Sequence, residues 1–113
     1  MIRMTVVSAG AAALLFLTVP AFAQGDAAHG AEVFTAQKCS LCHAVAGKGN
    51  AKGALDEVGT KLSAADIRQW IVAAPEMAAK TNAARKPAMK AYTSLSKEDV
   101  DALVAYLQTL KKR

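Results

Sequence analysis

The clearest periodic pattern in the chain is a stripe of apolar residues near its end. These residues recur at intervals of three and four, which is the spacing of one face of an α-helix. The stripe consists of Val100, Leu103, Val104, Leu107 and Leu110. Ser96 precedes it as an N-cap, and Asp99 follows three residues later, so the two can form a capping box. The pattern predicts a helix that begins after Ser96.

The same starting signal occurs earlier in the chain, where Ser63 is followed three residues later by Asp66. Apolar residues then fall on one helical face. They are Ile67, Trp70, Ile71 and Ala74. Because proline disfavours helical conformation in the residue before it, Pro75 is expected to end or kink this second predicted helix.

The remaining segments are less regular. A helix is predicted over 26–38, with Asp26 as its N-cap. The glycine-rich segment 44–60 is expected to be a loop. A short alanine-rich helix is predicted over 77–85, and an extended loop over 86–95. Since no stretch alternates apolar and polar residues as a strand does, the expected class is all-α with long loops.

The first 23 residues have the pattern of a secretory signal peptide. Arg3 supplies the positive start, an uncharged and mostly apolar run follows over 4–19, and a small-x-small signal ends at Ala23. The alternative is a membrane anchor, but the run is shorter than the ~20 residues that span a bilayer. We expect residues 1–23 to be cleaved, leaving a domain of residues 24–113 in the periplasm with no stable membrane insertion.

Composition narrows the class of protein further. With 113 residues, the chain is too short for a barrel enzyme, a two-domain dehydrogenase or a long repeat array. Hydrophobic residues make up 53% of the sequence but are concentrated in the signal region, and aromatic residues are only 5%. So small a core predicts a supplement such as a metal, a disulfide or a cofactor.

One motif has a specific chemical meaning, namely Cys39-x-x-Cys42-His43. Two thiols at this spacing can each add to one vinyl group of a haem, and the adjacent histidine can then bind the iron, which makes this the c-type haem attachment signal. A disulfide closing so short a loop would constrain little of the unfolded chain. A thioredoxin-like site needs a strand–helix context, and none is visible in this sequence. A zinc site usually needs four ligands. Beyond the two thiols the chain offers only His29 and His43, and neither has a convincing ligand spacing.

The other face of such a haem needs a second ligand if the protein is an electron carrier. The candidates are Met77, Met89, lysines and His29. Met77 lies in the alanine-rich segment, where apolar packing explains it, whereas Met89 lies in a loop that could present a thioether inward. His29 is on the helix that leads into the motif, a poor position from which to reach the opposite face. The residues alone favour Met89 and leave Met77 open.

Over nearly all of residues 26–110, the chain resembles a small class I cytochrome c of the bacterial periplasmic kind. The matching pieces occur in the order found in that family. They are Gly30-x-x-x-Phe34, the motif at 39–43, Gly53-x-Leu55, Trp70-Ile71, Pro87-x-Met89-x-x-Tyr92 and the segment 103–107.

The resemblance implies a fold and a cofactor. The fold would have three to five helices around one covalently bound haem c, with the first and last helices crossing. Gly30 and Phe34 would pack against Leu103 and Tyr106 at that crossing. Glycine would let the two backbones approach closely there.

The resemblance also implies roles for individual side chains. His43 and Met89 would be the axial ligands of the haem iron. Leu55, Trp70 and Tyr92 would line the haem pocket. The indole N–H of Trp70 would bind a haem propionate, or the ring would serve only as packing.

Two positions depart from the family pattern. Ala54 stands where relatives have a proline whose carbonyl accepts the N–H of the ligating histidine. Ala54 retains a carbonyl, so we expect it to accept that bond in a less rigid loop. Lys90 also stands where many relatives have a proline after the methionine.

The implied function is one-electron transfer, with a periplasmic dehydrogenase or terminal oxidase as redox partner. No residue is assigned as an acid, base or nucleophile, so the protein is not expected to be an enzyme, and no nucleic acid is expected as a partner.

The lysines expected around the haem would recognise an acidic surface. They are Lys48, Lys52, Lys80, Lys86 and Lys90. The alternatives are an electron-transfer subunit of a larger oxidoreductase and, if Met89 does not bind, a five-coordinate gas or peroxide site.

Overall fold

A computed structural model describes residues 25–112, together with Gly10 and Ala13. The predicted signal peptide and its cleavage after Ala23 therefore lie outside the described residues. Within residues 25–112 the chain forms five α-helices and one two-stranded ribbon. These elements are α1 (Ala27–Ala36), β1 (Ala44–Val45), β2 (Lys48–Gly49), α2 (Val58–Lys61), α3 (Ala64–Val72), α4 (Ala74–Thr81) and α5 (Lys97–Gln108).

The helical class is confirmed, with a small correction in the segment predicted as loop. Strands β1 and β2 pair antiparallel, with Ala44 opposite Gly49 and Val45 opposite Lys48. Between them Ala46 and Gly47 both have positive φ, which is the backbone of a tight hairpin turn. Strands of two residues are too short to show an alternating pattern, and the single helical turn of α2 is too short for a helical one.

The predicted N-caps are confirmed at all three long helices. Asp26 accepts hydrogen bonds from the backbone N–H groups of residues 28 and 29. The Ser63 hydroxyl accepts from the N–H of Asp66, and the Ser96 hydroxyl accepts from that of Asp99, each at 3.1 Å. Each cap satisfies a donor that the first helical turn leaves without a partner.

The expected break at Pro75 is confirmed, but the next helix begins and ends earlier than predicted. Helix α3 ends at Val72, and Pro75 lies in the first turn of α4 rather than ahead of it. Proline is favoured there because its missing N–H would have no helical acceptor. Asn82 then ends α4 in the left-handed conformation, with φ of 57°. The helix predicted over 77–85 is therefore α4, Ala74–Thr81.

The predicted crossing of the first and last helices is the most extensive helix contact in the described chain. A Cβ built on Gly30 would overlap the backbone carbonyl oxygen of Ala102 and lie 2.6 Å from the Cβ of Tyr106. Phe34 meets Tyr106 edge to face, with ring centroids 5.7 Å apart. The closest backbone neighbour of Gly30 is thus Ala102 rather than Leu103, and only glycine permits this approach.

The core lies between α1, α3 and α5. Its buried side chains include four of the five residues in the predicted α5 stripe, and the fifth, Leu110, packs against them partly exposed. The cluster consists of Val33, Phe34, Ile67, Ile71, Val100, Leu103, Val104 and Leu107. One face of this core continues into the cavity described below.

His29 is part of the α1–α5 contact. Its Nε2 lies 2.7 Å from the Asp99 carboxylate, and its Nδ1 lies 3.4 Å from Glu32. The Asp99 carboxylate, expected to close a capping box with Ser96, faces His29 instead. A histidine between two carboxylates is favoured in its protonated form, and the hydrogen bond to Asp99, followed by that to Glu32, raises the pKa of His29.

This arrangement predicts a pH dependence of stability. Because the pKa of His29 is raised above its unfolded value of 6.5, its contribution is fully present below that value. The contribution is lost as the pH rises through the folded pKa. We expect the free energy of unfolding, measured with denaturant from about pH 5 to about pH 8, to fall through this window. His29→Gln should flatten that part of the profile, and an unchanged profile would contradict the prediction.

Candidate haem-binding site

The predicted site residues are brought together around a single cavity of about 620 Å³. Those that line it are Cys39, Cys42, His43, Leu55, Trp70, Met89 and Tyr92. Neither Met77 nor His29 is among its lining residues. Of the two candidate methionines, Met89 therefore lies in the cavity wall and Met77 does not. The sequence pattern alone leaves both open.

The two cysteines reach the cavity through the turn that ends α1. Lys38 is in the left-handed conformation, with φ of 57°, and one 3₁₀ turn follows from Cys39 to Leu41. Both cysteines are free thiols. Cys39 is half-buried and Cys42 is exposed, and burial raises the pKa of the Cys39 thiol. Two free thiols thus stand together at the edge of the cavity.

His43 is held by the backbone of the loop that follows the ribbon. Its Nδ1 lies 2.9 Å from the carbonyl oxygen of Gly53. A carbonyl can only accept, so Nδ1 carries the hydrogen and Nε2 keeps a free lone pair. Burial is the main cause that lowers the pKa of His43. A neutral imidazole with one nitrogen fixed in this way is the form in which histidine binds a metal.

The acceptor of this bond corrects the expectation for Ala54. The N–H of Leu55 donates to the carbonyl of Ala44 at 2.8 Å, and Ala44 and Ala54 form a parallel bridge. This pairing fixes the backbone at position 54 along β1, and the carbonyl of Gly53 is the one that meets the imidazole. The bond predicted for the ligating histidine is present, but its acceptor is Gly53.

The segment that carries Met89 is extended, as predicted, and is anchored at its far end. Met89 is half-buried. The N–H of Tyr92 donates to the carbonyl of Ile71 at 2.9 Å, which ties the segment to the end of α3. The ammonium of Lys90 lies 5.1 Å from the ring centroid of Tyr92, within range of a cation–π interaction.

Sequence analysis missed Arg85 as a site residue. Arg85 lines the cavity, and its Nη2 donates to the carbonyl of Cys42 at 2.5 Å. The sequence places it in an alanine-rich segment 43 residues from its partner, and no local signal identifies a contact over that distance.

The residues present fit a covalently attached haem. The thiol pair can form two thioethers, His43 can bind iron through Nε2, and Met89 offers a thioether sulfur. The rest of the cavity wall is largely apolar, as a porphyrin requires. It includes Phe34, Leu55, Val58, Leu62, Ile67, Trp70, Ile71, Leu103 and Leu107. Filling this cavity would supply the bulk that the small core lacks.

Among the described residues, no helix is long and apolar enough to cross a membrane. Comparisons with curated proteins and with solved structures gave no match. The family model described as Cytochrome c matches residues 27–111. That range runs from the first residue of α1 past the end of α5, and it contains the attachment motif and Met89. The chain therefore belongs to the cytochrome c family.

Proposed function

We propose that this protein is a one-electron carrier of the periplasm, with one haem c bound through Cys39 and Cys42 and with His43 and Met89 as axial ligands. One observation carries the proposal: a single apolar cavity collects the thiol pair, the oriented imidazole and Met89, and its lining excludes Met77. The family supports haem-based electron transfer in general. The ligand set and the location are our own inferences.

The haem would supply the one-electron couple of its iron, and the chain's residues would set the conditions for it. Gly53 fixes the ring of His43 through Nδ1. The apolar wall would keep water from the iron, and the sulfur of Met89 would favour the ferrous state more than a second histidine. In this proposal the side chains around the cavity hold the haem in place and shield its iron from water. None of them acts as an acid, base or nucleophile in electron transfer.

The periplasmic location rests on the pattern of residues 1–23. A signal peptide that is cleaved after Ala23 would deliver the unfolded chain to the compartment where c-type haem is attached in most bacteria. The removal of Arg3 would leave the domain with a formal net charge of +4.

The partner is proposed to bind at the cavity edge through lysines. The five lysines predicted to surround the haem are all exposed. By contrast, two of the acidic residues that begin α5 are already paired. Asp99 faces His29, and Asp101 binds both Lys97 and Arg68. Because the domain keeps a formal net charge of +4 without Arg3, the field that steers an incoming partner is positive overall, which favours an acidic surface.

We predict that oxidation by a small anion depends on this charge. The rate of oxidation by hexacyanoferrate(III) should fall about tenfold between low and physiological ionic strength, because exposed charges are screened beyond ~8 Å at the higher value. Oxidation by the cationic tris(phenanthroline)cobalt(III) complex should instead rise with salt. Stopped-flow absorbance measures both rates.

A matched pair of variants tests where the charge acts. Lys86→Glu should slow the reaction with the anion at low salt, whereas Lys111→Glu makes the same change of charge at the end of the chain and should have a smaller effect. Equal effects would contradict docking at the cavity edge.

The alternative, a permanent subunit of a larger oxidoreductase, needs a large apolar contact surface. Within residues 25–112, Leu41 is the one large apolar side chain that is exposed, at 70%. A single exposed leucine is common on soluble proteins and does not form a patch. The described surface therefore favours the free carrier. Rates indifferent to salt with both oxidants would favour the alternative.

A further inference from the structure

Arg85 connects two parts of the site that are distant in sequence. It lies in the segment after α4, four residues before Met89. Its Nη2 donates to the backbone carbonyl of Cys42 at 2.5 Å. One side chain thus joins the segment that carries Met89 to the motif that carries His43.

The same guanidinium lies directly against a second backbone segment. A Cβ built on Gly53 would overlap Nη1 of Arg85 as well as the carbonyl oxygen of Cys42. Gly53 is also the residue whose carbonyl orients His43. The absence of a side chain at position 53 therefore makes room for the guanidinium between the two backbone segments that hold the histidine.

The Met89 segment has few other ties to this side of the cavity. Tyr92 anchors it to α3 at its far end, and residues 81–88 are all exposed. Exposed segments with little burial open locally at low free-energy cost. A hydrogen bond from a charged donor is stronger than a neutral one, so the loss of this bond should let such a segment open more often.

We propose that Arg85 is a positioning residue that latches the Met89 segment against the backbone around His43 and so keeps the methionine sulfur on the iron. This latch rests on the proposed His43 and Met89 ligation. When the bond to Cys42 is absent, the segment opens more often, and an external ligand can take the place of Met89.

The latch can be measured by imidazole binding to the ferric holoprotein. Imidazole binds only when the methionine has left, so its apparent affinity rises with the fraction of open molecules. Arg85→Met keeps an apolar stem but removes the donor and the charge, and it should strengthen imidazole binding about tenfold, which corresponds to about 1.4 kcal/mol. Arg85→Lys restores a donor and should stay within about threefold of the parent.

Two further measurements separate the effect of the latch from the loss of a surface charge and from changes at the iron itself. Lys111→Met removes an exposed charge that does not line the cavity, and it should leave imidazole affinity unchanged. Amide hydrogen exchange at Tyr92 reports opening of the segment without reference to the iron, and it should quicken about tenfold in Arg85→Met. The latch is wrong if Arg85→Met matches Lys111→Met in both measurements, or if Arg85→Lys behaves like Arg85→Met.

The failure of the ligand assignment would look different. If Met89 is not a ligand, Met89→Ala will leave imidazole affinity at the parent value, whatever the Arg85 variants do. In that case Tyr92 exchange alone still decides whether Arg85 holds the segment.

Discussion

Replacing Cys39 or Cys42 by alanine should lower the yield of mature holoprotein more than about tenfold, because binding of a group that completes the core contributes directly to folding free energy. Both thiols stand free at the edge of the cavity, and each variant would leave one haem vinyl group without its thioether. Haem staining of periplasmic extracts after electrophoresis measures the yield.

A control variant lies between the two cysteines. Ser40 is exposed, and Ser40→Ala should mature at the parent level because it removes neither thiol. Covalent attachment itself is checked by acid–acetone extraction of the parent protein, which should leave the colour with the polypeptide. Extraction of the pigment into the solvent would refute the thioether assignment.

Replacing Met89 by alanine should remove the sulfur ligand and keep the haem. We expect the ferric absorption band at the red end of the spectrum, which reports sulfur ligation, to disappear, and the iron to become high-spin or hydroxide-bound. The reduction potential should fall by more than ~60 mV, the equivalent of a tenfold change in a one-electron equilibrium. Absorbance spectroscopy and a potentiometric titration measure the two effects.

Met77→Ala is the matched control for this experiment. Met77 is on α4 and is not among the residues that line the cavity, so its loss should change neither the band nor the potential. The reverse outcome would transfer the ligand role to Met77. In that outcome Met77→Ala removes the red absorption band and lowers the reduction potential, whereas Met89→Ala changes neither.

The features that sequence predicted well are local ones. The α5 stripe and the serine caps each depend on residues within a few positions of one another. Hydrogen bonds between neighbours and the helical repeat decide such features, and both are legible in a single sequence. The approach of Gly30 to α5 follows from the resemblance, which implies that the first and last helices cross, and not from a local pattern.

The features that sequence did not predict depend on contacts across the chain. The pairing of Ala44 with Ala54 decided that Gly53, not Ala54, accepts from His43. Arg85 gave no signal, since its partner carbonyl belongs to the backbone and is the same for any residue type. Backbone geometry between distant segments is set by packing, which no local pattern encodes.

The Asp99 carboxylate binds a side chain that is distant in sequence instead of the nearby backbone N–H that the capping pattern predicts. Its position three residues after Ser96 suits a capping box, yet the carboxylate lies 2.7 Å from His29, seventy residues away in sequence. A histidine that gains a proton offers a charge-assisted bond, which is stronger than a neutral one to a backbone N–H.

The crossing of α1 and α5 has a consequence for the order of events after synthesis. These are the first and last helices of the described chain, so the ring of Phe34 meets Tyr106 only when both ends of the domain are present. Closing a loop of this length is slow compared with forming either helix. Cys39 and Cys42 come just after α1, and they emerge well before the segment that would enclose them. In the proposed function, this delay would leave the unpacked motif available for haem attachment before α1 and α5 come together.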